Sequence, residues 1–302
     1  MQAIDSVHIN FNPEQLFILN ICLAFLMFGV ALDLRFDNFQ ALARSPKAPL
    51  VGLSSQLVLL PLLTLALIFF FRPAPSIALG MVLVAACPGG NVSNFAVHLA
   101  NANAALSVLM TSISTLAAIV ITPVYFTYLA PLVPGVETLQ HPIYVDPLDM
   151  VSTIVQLILI PLFIGMFLNY RFPAFSAHLK RPVRILSLAI FLGFIVAAVY
   201  GNFDNIVKYL HVVFLLVLVH NASALLTGYW WAKSNGLSRQ DARAISIETG
   251  IQNSGLGLIL IFNFFNGLGG MAMIAAWWGV WHLVSAFSLA LLWRERSVLS
   301  VE

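Results

Sequence analysis

Charge is what this chain has least of. Asp, Glu, Lys and Arg make up 9% of its 302 residues, against about 25% in ordinary soluble domains. So few charges cannot solvate the surface of a water-soluble protein this long, and the mean hydropathy of +0.94 agrees. Cysteine is nearly absent too. Cys22 and Cys87 both fall in apolar stretches, which excludes a disulfide framework and predicts two reduced, buried thiols. Short segments of alternating polarity are missing, which excludes a membrane barrel. A removable leader is not expected either. The first apolar run, 15–34, is too long for a signal-peptide core, and its flanks are acidic before (Asp5, Glu14) and basic after (Arg35, Arg44, Lys47).

What is present is apolar sequence in long runs. A membrane-crossing helix needs about 20 such residues. Nine stretches qualify as expected spans: 15–34, 49–71, 76–99, 104–128, 148–169, 184–200, 207–232, 239–265 and 269–293. With the N-terminus outside, the inside loops then hold Arg35, Arg44, Lys47, Arg171, Lys180, Arg181, Arg184, Lys233, Arg239, Arg243, Arg294 and Arg296, which is 12 of the 14 basic residues. Only Arg72 and Lys208 fall outside. The positive-inside rule therefore predicts N-out, C-in, and the membrane expected is a bacterial inner membrane, though no targeting signal shows it. No soluble domain or long linker separates the spans. The expectation is a single transmembrane unit over 1–302, all α, with membrane lipid around it and no nucleic acid as partner.

Two spans are interrupted. Pro88, Gly89 and Gly90 stand in the middle of "MVLVAACPGGNVSNFAVHLA", and Gly250, Gly255 and Gly257 surround "IETGIQNSGLG". Proline removes a backbone donor and clashes with the preceding turn, and glycine tolerates conformations that other residues avoid. Breaks are therefore expected at 88–91 and 249–253. Each is followed by polar residues (Asn91, Ser93 and Asn94; Gln252, Asn253 and Ser254), and each precedes the last helix of its half. Paired interruptions of this kind are the sequence sign of an inverted-repeat transporter, whose substrate sites lie where the helices break.

Of the 12 acidic residues, Glu248 alone sits well inside a span, with no Lys or Arg at similar depth. An ionised carboxylate at the bilayer centre costs about 2.5–3.5 kcal/mol on insertion scales. Either it is protonated or its partner is a cation that the protein does not supply. Hard oxygen donors without sulfur or clustered imidazole suit an alkali metal ion. Gln56, Ser93 and Asn94 are further donors, and Ser107 and Thr111 share a helix face four residues apart. His220, Asn221 and His282 are read as helix-packing groups, and Trp277, Trp278 and Trp281 as packing or lipid-facing ones.

"CPGGNVSN", "ALSVLMTSISTL" and "IETGIQNSGLG" resemble the hallmark segments of the bile acid:sodium symporter family. Weaker echoes are "FLMFGVALDL", "HNASALLTGYWWAK" and "WGVWH". The resemblance runs over nearly the whole chain. Some bacterial members carry an additional first helix, which the nine spans do not include. The family implies panel helices at about 15–34, 148–169 and 184–200, and core helices at about 49–128 and 207–293, with the broken helices crossing in the core. It implies two sodium ions as coupling ions. The first site would use Ser93, Asn94, Ser107, Thr111 and Glu248. The second would use the Gln56 and Gln252 side chains with backbone carbonyls near Glu248, Thr249 and Ile251. Asn91, Asn253 and His282 would border the substrate. Asn91 stands where relatives often have Thr, and His282-Leu283 where bacterial relatives can have His-Asn. Both departures fall on the substrate side.

The function expected is sodium-coupled symport of an organic anion, bile-acid-like or a small hydroxy or keto acid, by alternating access. The alternative is a proton-coupled organic-acid carrier in which Glu248 titrates. No Gly-x-Gly-Asp or His-Glu-x-x-His motif and no second deep carboxylate supports an intramembrane enzyme, and paired breaks around one acid favour a carrier over a passive channel.

Overall fold

The computed structural model describes residues 4–5, 13–32, 45–90, 92–139, 145–201 and 203–298. Among them the regular structure is helical and no sheet forms. The helices are α1 (Pro13–Ala31), α2 (Lys47–Phe71), α3 (Pro75–Ala86), α4 (Val92–Leu99), α5 (Ala104–Leu129), α6 (Pro147–Arg171), α7 (Pro173–Gly201), α8 (Phe203–Ser234), α9 (Arg239–Gly250), α10 (Ser254–Phe264) and α11 (Gly269–Val298). Five stretches, in α2, α5, α6, α8 and α11, are long and apolar enough to cross a membrane. Shorter apolar helices lie at Leu16–Gly29, Pro75–Ala86 and Ser254–Phe264. The expected span at 184–200 falls within α7.

Non-helical backbone separates α3 from α4 and α9 from α10. The first includes Cys87, in extended backbone, through Gly90, and the second covers residues 251–253. Thr249 and Gly250 remain helical, and only residues 251–253 leave the helix. Side chains satisfy the last carbonyls of α9, so the turn need not unwind early. Beyond the breaks, Asn253 Oδ1 accepts from Leu256 N at 3.0 Å and caps α10. Asn103 caps α5 in the same way, through Leu106 N at 3.0 Å. Ser238 Oγ accepts from Asp241 N at 3.0 Å and starts α9.

Two helices carry the same local distortion. Ser55–Leu59 in α2 and Val155–Leu159 in α6 wind as π turns. Their sequences, "QLVLLPL" from Gln56 and "QLILIPL" from Gln156, match almost residue for residue. Pro61 and Pro161 lack the N–H that an α-helix needs and crowd the carbonyl one turn back. A wider turn, closed from Leu60 N to Ser55 O and from Ile160 N to Val155 O, absorbs both problems.

Packing follows small residues and apolar faces. A Cβ at Gly228 would lie 2.8 Å from Thr249 Oγ1 and 2.9 Å from Ile245 O, so α8 lies directly against α9. The main apolar cluster joins α3, α10 and α11 around residues such as Leu79, Leu260 and the fully buried Trp278. α1 packs against α6 and α7 and touches α10. Near the other end of the fold, Ile4 is buried and Asp5 Oδ1 accepts from Ser76 N at 2.9 Å, at the start of α3.

Candidate cation site at the crossed helix breaks

The two breaks cross. Gly89 and Gln252 form an antiparallel bridge, with Gly90 N donating to Ile251 O at 3.0 Å and Asn253 N to Pro88 O at 2.8 Å. Non-helical backbone inside a membrane protein has to find its partners in protein. Here each break supplies them to the other. α5 completes the first break: Gly89 N donates to Ser114 Oγ at 3.2 Å, and Thr122 Oγ1 donates to Ala86 O at 2.6 Å.

Glu248 is fully buried on the last turn of α9. Ser93 of α4 and Ser107 of α5 donate hydroxyl hydrogen bonds to its Oε1. Thr111 Oγ1 lies 3.0 Å from both carboxylate oxygens. Asn94 Oδ1 sits behind them, 2.8 Å from Ser107 Oγ and 3.4 Å from Thr111 Oγ1. Three elements thus bring the five first-site residues together. Each α5 hydroxyl has a second acceptor for its proton, Asn94 Oδ1 for Ser107 and, at 3.0 Å, the Ser107 carbonyl for Thr111. Rotating to that acceptor turns an oxygen lone pair toward the carboxylate. The cluster can therefore exchange proton donation to Glu248 for oxygen donation to a cation.

The second set gathers around the backbone of the same turn. Gln56 Nε2 donates to Glu248 O at 3.3 Å, and Gln252 Nε2 donates to Thr249 O at 3.0 Å. The amide oxygens of Gln56 and Gln252 are buried without a hydrogen-bond partner among the described residues. A Cβ at Gly89 would lie 2.8 Å from Gln56 Nε2 and 3.0 Å from Glu248 Oε2, so amide and carboxylate close together on a position that only glycine leaves open. The Ile251 carbonyl, expected among the ligands, is engaged by Gly90 N in the crossing. Among the described residues no three of His, Cys, Asp and Glu come together. The donors are hydroxyls, amides, carbonyls and one carboxylate, which fits a hard monovalent cation.

Asn91 lies outside the described residues. Asn253 caps α10, with its Nδ2 4.0 Å from Met27 Sδ of α1. His282 is buried in α11, and its Nδ1 has no partner among the described residues.

Two contributors, Ser114 and Thr122, escaped sequence reasoning, Asn221 was read only as a helix-packing group, and the depth of Arg243 was not foreseen. Ser114 and Thr122 extend the Ser107/Thr111 stripe of α5, and continuing that three- or four-residue spacing would have found them. Asn221 donates from Nδ2 to Gly250 O at 2.7 Å. Arg243, assigned above to an inside loop, is 4% exposed within α9. Its Nη1 donates to Ala100 O at 3.4 Å, and its Cζ lies 5.5 Å from the Trp293 ring centroid. No signal in the sequence separates it from its solvated neighbours.

Long apolar helices around two crossed breaks and one buried acid define a multi-pass membrane protein of the transporter class. Residues 20–209 match the model of the Sodium Bile acid symporter family, and the chain belongs to that family of sodium-coupled membrane transporters. That match ends before Glu248, but the similarity to relatives continues past it. The chain is 33% identical over 278 residues to the uncharacterized sodium-dependent transporter YocS of Bacillus subtilis, covering 92% of this chain and 83% of that protein. It is 33% identical to the probable chloroplastic sodium/metabolite cotransporter BASS2 of rice, covering 91% of this chain and 64% of the relative. The corresponding BASS1 of Arabidopsis thaliana is 31% identical over 93% of this chain and 67% of its own length.

Proposed function

We propose that the chain is a symporter that couples sodium to the uptake of an organic anion by alternating access, with two cation sites that share Glu248. One observation carries this reading. Among the described residues every hydrogen bond to the Glu248 carboxylate comes from a neutral hydroxyl, and the amide oxygens beside its backbone lack partners there. A buried anion in such a shell is balanced by a cation taken from solution. The names of the bacterial and plant relatives, a sodium-dependent transporter and sodium/metabolite cotransporters, support the same reading.

Ser93, Asn94, Ser107 and Thr111 would serve the first ion, and Gln56 and Gln252, with the Glu248 and Thr249 carbonyls, the second. Two ions against one carboxylate leave a single positive charge for the transported anion to balance. α4 and α10 begin just beyond the breaks, where helix N-termini offer free N–H groups and positive partial charge. An anion held near Asn91 and Asn253 would meet both ends. Two sodium ions with one monoanion carry a net positive charge inward, which adds about 2.3 kcal/mol of drive per cycle at 100 mV. The packing of α1 with α6 and α7 supports a panel of those helices against a core formed by the rest. Nine passes with the N-terminus outside, in an inner membrane, complete the proposal.

The test is uptake into proteoliposomes. A thermal-shift screen of organic anions, run with and without sodium, first selects the substrate from bile-acid-like and small hydroxy or keto acids. Uptake of that anion is expected to require sodium, to be electrogenic and to be lost in Glu248→Ala. Full uptake without sodium together with an active Glu248→Ala variant rejects the reading, and uptake driven instead by a pH gradient replaces it with proton coupling.

A further inference from the structure

The end of α9 is closed in an unusual way. The last carbonyls of a helix have no partner within it. Here three consecutive ones, of Glu248, Thr249 and Gly250, each accept from a side-chain amide: Gln56 at 3.3 Å, Gln252 at 3.0 Å and Asn221 at 2.7 Å. The amides come from three places, α2, the second break and α8. All three have spent an N–H on the helix end, and all three leave their oxygen buried without a hydrogen-bond partner among the described residues. Buried amide oxygens ordinarily find donors. Three such oxygens lie around one helix end.

α8 is placed to put Asn221 in that set. His220 Nε2 lies 2.8 Å from Thr64 Oγ1, whose own proton goes to Leu60 O at 2.8 Å, so the imidazole is the donor. Trp231 Nε1 donates to Ser54 Oγ at 3.0 Å. These two pins hold α8 along α2 on either side of Gln56. Ser246 Oγ, donating to Leu225 O at 2.7 Å, fixes α9 to the same stretch of α8. Asn221 is thus held at the α9 terminus by the helix that also flanks Gln56.

We propose that Asn221 is a further oxygen ligand of the second cation site, completing with Gln56 and Gln252 a trio of amide oxygens. The inference rests on the sodium-coupled reading above. In the state described here the amide N–H groups satisfy the α9 carbonyls, so release of the cation leaves no bare carbonyl behind. Their oxygens are the groups a hard cation takes up.

The experiment compares wild type, Asn221→Leu and Asn221→Asp as full-length protein in detergent. It follows the melting temperature as sodium chloride replaces choline chloride, and then the sodium dependence of uptake. Leucine keeps the bulk and removes the oxygen, and aspartate keeps an oxygen and removes the N–H. Asn221→Leu is expected to need about tenfold more sodium for half of the thermal shift and for half-maximal uptake, with a shallower sodium dependence. Asn221→Asp is expected to stay within about threefold of wild type. An unchanged sodium midpoint in Asn221→Leu overturns the proposal, as does an equal loss in both variants, which would make Asn221 a cap for Gly250 only. Asn221→Ala replaces the leucine variant if that does not fold. A wild type with no sodium-specific shift or uptake is a different failure, that of the functional reading itself.

Discussion

α2 and α6 contain nearly the same seven residues and the same π turn, yet their glutamines have opposite surroundings. Gln56 is 1% exposed and reaches the backbone of Glu248. Gln156 is exposed, and its amide only reaches Ser152 Oγ, one turn back, at 3.3 Å. The proline makes the turn in both cases, because the missing N–H and the crowded carbonyl are local facts. Whether the glutamine does anything depends on what lies opposite. α2 faces α8 and the crossing, whereas the π turn of α6 packs against α1. Local sequence therefore sets the backbone, and the tertiary neighbour sets the role.

Substitutions can break that comparison from either side. The largest effect belongs to Gln56→Leu. It strips the amide from the Glu248 carbonyl, a loss of about 1–3 kcal/mol for a buried group left unpaired. It also removes an oxygen proposed for the second ion. The sodium concentration for half-maximal uptake is expected to rise about tenfold or more, with a lower melting temperature. Pro61→Ala comes next. An alanine N–H lets α2 return to α-helical winding, and losing the extra residue of the π turn rotates the preceding segment by roughly 100°. Packing resists part of that rotation, so a rise of about threefold in the sodium requirement is expected, read by the same titration. Pro161→Ala should leave the sodium requirement where it is and change only thermal stability, by less than about 1 kcal/mol in a melting experiment. Gln156→Leu is the smallest change, within about 0.5 kcal/mol of stability and with unaltered uptake. A Gln156→Leu variant as impaired as Gln56→Leu would undo the comparison.

How much of this was legible beforehand differs by residue. Glu248 stood out because every other carboxylate lies at a loop, a tail or a span end, and solvation energy makes an exception conspicuous. The breaks announced themselves through Pro88, Gly89, Gly90 and Gly250, since backbone chemistry is local. Ser107 and Thr111 followed from helical spacing. The partners of these groups were less accessible. That Gln56 meets the Glu248 backbone was expected only through the family resemblance, and that Asn221 meets Gly250 depends on helices brought together across long stretches of chain. Arg243 was misplaced because a loop arginine and a buried one read alike until Ser238 is seen to cap α9 ahead of it. The second copy of the Gln-Leu-x-Leu-x-Pro-Leu pattern was in plain view at 156–162. It carried no weight because nothing in the string says which copy faces the crossing.

The bridge between the breaks gives a natural reporter of cooperativity. The amide protons of Gly90 and Asn253 are far apart in the chain, yet each is held only as long as the opposite break stays in place. Neither can exchange with solvent unless both strands part, so the two should lose their protons at one common rate, whatever the local mobility of their own helices. A chemist following deuterium uptake at those two glycine- and asparagine-containing peptides would be watching a single opening event from both ends.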